Sequence, residues 1–99
     1  LLEKLKSSDT FNGRSYAHIL NNLAYSYYSL DKKDLAKKYF EEYVNAYPGS
    51  NSYDSMGEFY YNEKDYEKSL KNYKKSLEYY SQSLSGNDKV RELEYLLKK

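Results

Sequence analysis

Apolar side chains recur at helical spacing in successive stretches of this chain, each closed by polar, Gly or Pro residues. Ile19, Leu20, Leu23, Ala24, Tyr27 and Leu30 follow an i, i+3, i+4, i+7 rhythm and predict a helix over residues 15–30. Residues 31–33 then turn the chain. Leu35, Ala36, Tyr39, Phe40, Tyr43 and Val44 write a second helix over residues 34–47. Pro48 and Gly49 end it, because proline withdraws a backbone donor and glycine accepts a left-handed cap. A third helix over residues 51–62 turns Tyr53, Met56, Gly57 and Tyr60 inward, and residues 62–65 form the next turn, with Asp65 as an N-cap. The fourth, over residues 66–80, aligns Tyr66, Leu70, Tyr73, Leu77 and Tyr80. Residues 81–85, with Gly86 and Asn87, break it before a last helix over residues 88–98 that carries Val90, Leu93, Leu96 and Leu97. Before all of these, Leu1, Leu2 and Leu5 among Glu3, Lys4 and Lys6 suggest the end of a preceding helix. A polar linker follows, so residues 1–14 read as a lead-in from a longer chain.

The first four helices are one pattern written twice. Residues 17–48 and 50–81 align at an offset of 33, with Leu23-Ala24 answering Met56-Gly57, Tyr27-Tyr28 answering Tyr60-Tyr61, Ala36 answering Ser69, Phe40 answering Tyr73 and Val44 answering Leu77. Only four of the 32 aligned positions are identical, so side-chain size and polarity are what repeat. A period of this length marks a helical solenoid, in which each unit buries a face on its neighbour. The small residues sharpen the expectation. Ala24 and Gly57 fall where the paired helices of a unit should approach closest, and Ala36 and Ser69 fall opposite them. Glycine inside a helix costs roughly 1 kcal/mol against alanine, so close backbone approach is the natural reason for Gly57.

At these residues the pattern resembles the tetratricopeptide repeat, a 34-residue helix–turn–helix module with a large residue, Leu-Gly, an aromatic, Ala, an aromatic, Ala and a closing Pro. The first unit matches with Leu20, Leu23-Ala24, Tyr27, Ala36, Phe40 and Pro48. The second matches with Tyr53, Met56-Gly57, Tyr60, Ser69, Tyr73 and Ser76. Tyr43 departs from the usual small residue, Ser81 from the closing Pro, and the linker after Pro48 is one residue short. The resemblance implies an all-α, right-handed solenoid of antiparallel helix pairs: two repeats, over residues 15–48 and 50–81, and a final helix within residues 86–99. That last helix is either a cap or the first half of a third repeat. A narrower likeness, in residues 47–58 and 72–78, is to the repeat-bearing C-terminal tails of some bacterial serine hydrolases. It implies an alternative role: a non-catalytic appendage that packs on, or orients, a catalytic domain of its own parent chain.

Composition narrows the chemistry. The chain has 99 residues, enough for one small domain, and its 16 Lys and Arg nearly balance 15 Asp and Glu. Such a balance gives no global pull toward nucleic acid, and no stretch is long and apolar enough to span a membrane. With no Cys there are no disulfides and no thiolate-bound metals. Fifteen Tyr, three Phe and no Trp suit a shallow core in which hydroxyls stay near water. Ser29-Leu30-Asp31-Lys32 spells the Ser-x-x-Lys of a serine nucleophile, but its companion motifs are missing and it straddles a turn. His18 is the single His. Glu41 and Glu42 are neighbours on a helix and point about 100° apart, so they do not form a shared-proton pair. Neither a catalytic site nor a cofactor or metal site is expected within these residues. Lys71, Lys74 and Lys75 flank Tyr73 as in single-strand binders. At helical spacing, however, Tyr73 turns inward, and Glu67–Lys71, Lys37–Glu41, Lys38–Glu42 and Lys74–Glu78 read as i, i+4 pairs on a solvated face.

The resemblance also implies a place for a ligand, since the first helix of each repeat lines a concave groove in this family. The matching positions are His18, Asn21, Asn22, Tyr25, Tyr28 and Ser29, then Asn51, Asp54, Ser55, Glu58, Tyr61 and Asn62. Tyrosines and amides offer flat area and hydrogen bonds to an extended peptide. Relatives that clamp the carboxylate end of heat-shock chaperones carry Lys and Asn where this chain has Asn21, Tyr25 and Ser55, so that clamp is absent. Asp54 and Glu58 favour a basic or neutral segment instead. The expected role is a protein-interaction module, with a protein or peptide as partner.

Overall fold

The computed structural model describes residues 13–98; of the lead-in expected over residues 1–14, residues 1–12 lie outside them. Five α-helices and no strand occur among the described residues: α1 (Gly13–Ser29), α2 (Lys33–Ala46), α3 (Ser50–Asn62), α4 (Tyr66–Tyr79) and α5 (Leu84–Lys98). The chain divides after Tyr47 into two compact units. In the first, α1 packs on α2. In the second, α3 packs on α4 and α4 on α5. The fold is an all-α helical repeat.

The first unit closes around Tyr16, Leu20 and Tyr43, with Ala17, Tyr39 and Tyr47 packed against them. The Tyr16 and Tyr47 rings meet edge-on at 5.9 Å, and Tyr27 stacks on Tyr39 at 5.5 Å. Ala24 and Ala36 are fully buried, as close helix approach requires. The second unit shows the reason for its small residues directly. A Cβ built on Gly57 would stand 2.9 Å from two ring carbons of Tyr73, and the Ser69 hydroxyl donates to the Gly57 carbonyl at 2.7 Å. Burying a hydroxyl is costly unless it is bonded, and this bond lets Ser69 stand where the first unit has Ala36. Tyr53 stacks on Tyr79 at 5.8 Å along the same interface.

The turns between paired helices are twins. Asp31 and Lys64 both take left-handed backbone, with φ of 62° and 64°. Lys32 N–H donates to the Tyr27 carbonyl and Asp65 N–H to the Tyr60 carbonyl, so each first helix ends in a Schellman motif. Asp65 then caps α4, accepting from the Lys68 N–H at 3.3 Å, as its position predicts.

Several expectations need correction. α1 starts at Gly13 rather than Ser15. Gly49 is fully extended, with φ 177°, and has open space around its Cβ position, so it supplies no left-handed cap; Pro48 alone bars α2 from continuing. Gly86 and Asn87 do not break the chain. α5 begins at Leu84, because the Ser83 hydroxyl accepts from the Gly86 N–H at 3.0 Å and so starts the helix earlier. Gly86 is buried, and a Cβ there would lie 3.1 Å from Leu77 of α4. It is a contact glycine, not a breaker. Leu30, Leu35 and Tyr80, expected on inward stripes, are exposed, and Phe59, not expected there, is buried. Lys74 pairs with Glu94 of α5 at 3.5 Å rather than with Glu78 a turn away.

Candidate functional site

On α1 the helical rhythm that buries Tyr16, Leu20 and Ala24 leaves the opposite face to water. His18, Asn22 and Ser29 are exposed there, and Asn21, Tyr25 and Tyr28 are half-buried. Tyr25 has a second task, since its ring meets Phe40 edge-on at 4.9 Å. Glu42 of α2, expected on a solvated face, accepts from the buried Tyr16 hydroxyl at 3.0 Å. Burial, reinforced by that carboxylate, pushes the Tyr16 phenol up to about 12.

The matching face of α3 is more closely engaged. Asn51, Glu58 and Asn62 are exposed, while Asp54, Ser55 and Tyr61 are half-buried. Asp54 sits beside the fully buried Ser76 of α4, whose hydroxyl lies 3.0 Å from the Ser50 carbonyl, 3.1 Å from the Ser50 hydroxyl and 3.5 Å from the Asp54 carboxylate. Partial burial raises the Asp54 carboxyl above its ordinary value; the Ser76 bond opposes the rise and Glu58 adds to it.

Tyr61 reaches α5. Its hydroxyl donates to the Glu92 carboxylate, and its ring lies 5.9 Å from that of Tyr66. The Lys89 ammonium rests 3.6 Å from the Tyr61 ring centroid and 3.7 Å from the other Glu92 oxygen. The bond to Glu92 raises the Tyr61 phenol, because a carboxylate acceptor favours the protonated form. Lys89 and Glu92 were not foreseen as part of this face. A signal was available: counted from the first residues of α3 and α5, Asp54, Glu58 and Tyr61 recur 34 residues later as Asp88, Glu92 and Tyr95.

Among the described residues, no cluster of three or more His, Cys, Asp or Glu is placed to hold a metal ion, and no helix is long and apolar enough to cross a membrane. Ser29 closes α1 and Asp31 is the left-handed turn residue, so the Ser-x-x-Lys stretch is spread over a helix end and a turn.

No curated protein and no solved structure matches the chain. Two tetratricopeptide repeat models do match, one over residues 22–50 and the other over residues 50–83, together well over half of the sequence. With twin helix pairs, twin turns and small residues at each close approach, the chain belongs to the tetratricopeptide repeat family.

Proposed function

We propose that this chain is a protein-interaction module that takes a peptide or protein segment on the faces of its first helices, His18, Asn21, Asn22, Tyr25 and Tyr28 on α1, and Asp54, Glu58, Tyr61 and Asn62 on α3. Tetratricopeptide repeats are in general modules for binding proteins, which supports the class. The observation that carries the chemistry is on α3. Asp54 and Glu58 lie close enough to feel each other's charge, and they share α3 with Tyr61, an aromatic ring that already holds a cation. Such a face suits a segment bearing Lys or Arg, since complementary charge speeds encounter and discriminates against acidic partners.

A fluorescent heptapeptide of alternating Lys and Ser, followed by anisotropy at low salt, tests this. Glu58→Lys should weaken binding severalfold, while Glu41→Lys, an equal charge change at an exposed site on α2, should leave it unchanged. Tyr25 is a poor site for the test, because truncating it also strips Phe40 of its ring contact. Equal weakening by both variants would reduce the interaction to bulk charge and remove the reading.

A further inference from the structure

Tyr61, Lys89 and Glu92 form a small device whose chemistry is shown by its own occupant. One face of the Tyr61 ring receives the Lys89 ammonium at 3.6 Å, and Glu92 closes on the same cation at 3.7 Å while accepting the Tyr61 hydroxyl. The ring of Tyr66, tilted 58° at 5.9 Å, stands against Tyr61. Quadrupole and carboxylate attract a positive charge together, and the Tyr61–Glu92 bond holds them in one geometry. Lys89 itself keeps part of its side chain in water, about one-third of it exposed, and its pairing with Glu92 is an exposed contact one turn away on the same helix, the kind that contributes little to stability.

We propose that the Tyr61–Glu92 pair is a seat for a cationic side chain of the bound segment, and that Lys89 fills it in the free chain as an internal surrogate. The inference rests on the binding face proposed above and adds a regulation to it. A Lys or Arg of the partner enters by displacing Lys89, which swings to water on its flexible stem. Lys89 therefore sets a threshold: a segment without a cation at that register does not open the seat.

The same Lys-Ser heptapeptide tests the displacement. Lys89→Gln should tighten binding by roughly twofold to fivefold, the equivalent of one cation–ring contact at an exposed site. Lys71→Gln removes an equal charge from an exposed site on α4 and should change it much less. The gain should vanish in Lys89→Gln combined with Tyr61→Leu. The unmodified chain gives a second measurement that needs no variant. Ring current should shift the Lys89 ε-methylene protons upfield, and saturating peptide should return them toward random-coil values. Equal gains from Lys89→Gln and Lys71→Gln, or peptide binding that leaves the Lys89 protons unmoved, would overturn the seat. If Glu58→Lys still weakens binding in that case, the binding face stands without it. A peptide that binds neither the unmodified chain nor Lys89→Gln removes both.

Discussion

At the scale of single residues, the second unit depends on Gly57. Its missing Cβ leaves room for the Tyr73 ring, and its carbonyl satisfies the buried Ser69 hydroxyl. Gly57→Leu forces four carbons into that contact and should lower stability by roughly 1–3 kcal/mol or more, read as a lower urea midpoint. Lys71→Ala, on the exposed side of α4, should stay within experimental error; equal midpoints would mean that the contact is not a packing contact. Asp54 makes a prediction of the opposite sign. Burial raises its carboxyl in the native state, so ionisation costs native stability as pH rises through the folded value. Its protonated form, present below the ordinary carboxylate range, carries no such cost. Asp54→Asn keeps an acceptor for Ser76 and never ionises. It should therefore be more stable than the parent at pH 7 and lose that advantage near pH 3. A larger advantage at pH 3 than at pH 7 would reverse the assignment.

At the scale of helices, periodicity made all five elements legible, since burial on one face imposes the 3.6-residue rhythm whatever the partner. The ends were less legible, because they turn on hydrogen bonds between particular atoms. Gly86 looked like a breaker among serines, yet the Ser83 hydroxyl starts α5 around it and Leu77 packs where a Cβ would be. Glycine alone does not say whether the chain is bending or touching. Phe59 escaped notice because α3 buries a second stripe, Ser52, Met56 and Phe59, beside the one facing α4. On the candidate face the polar stripe was readable and the 34-residue recurrence pointed to Glu92, but the Lys89 contact was not, because it forms only when α5 packs on α4 and meets Tyr61. The twin left-handed turns bear a prediction of their own. Lys64 adopts φ of 64° with an exposed side chain, a conformation that disfavours a Cβ. Lys64→Gly should add about 0.5–1 kcal/mol and Lys64→Val should subtract at least as much, measured by thermal melts. A destabilised Lys64→Gly would show that the lysine side chain, not its backbone, matters there.

At the scale of the molecule, stability in a helical repeat is approximately each unit's own worth plus that of its neighbouring interfaces, so a helix laid on the last pair matters beyond its length. α5 covers α4 through the Gly86–Leu77 approach and the Lys74–Glu94 pair, and its Leu93 is fully buried. The stripe that α3 turns to α4 is Tyr53, Gly57 and Tyr60; in the same register α5 carries Asn87, Arg91 and Glu94. Polar side chains there suit water, and we propose that in this chain α5 acts as a cover for α4. Leu93→Ala should cost roughly 2–5 kcal/mol by leaving a cavity, while Leu84→Ala, at a position 82% exposed, should cost almost nothing. Hydrogen exchange locates the loss: with Leu93→Ala, the amides of α4 and α5 should lose protection together, because the two helices are held by one interface. If α5 alone loosens while α4 keeps its protection, α5 is a passenger on a unit already complete. Arg91→Leu gives that helix an exposed apolar residue and costs it only the solvent-exposed Arg91–Asp88 pair, a kind worth little. Its melting midpoint should stay near the parent's, with a greater tendency to self-associate at high concentration.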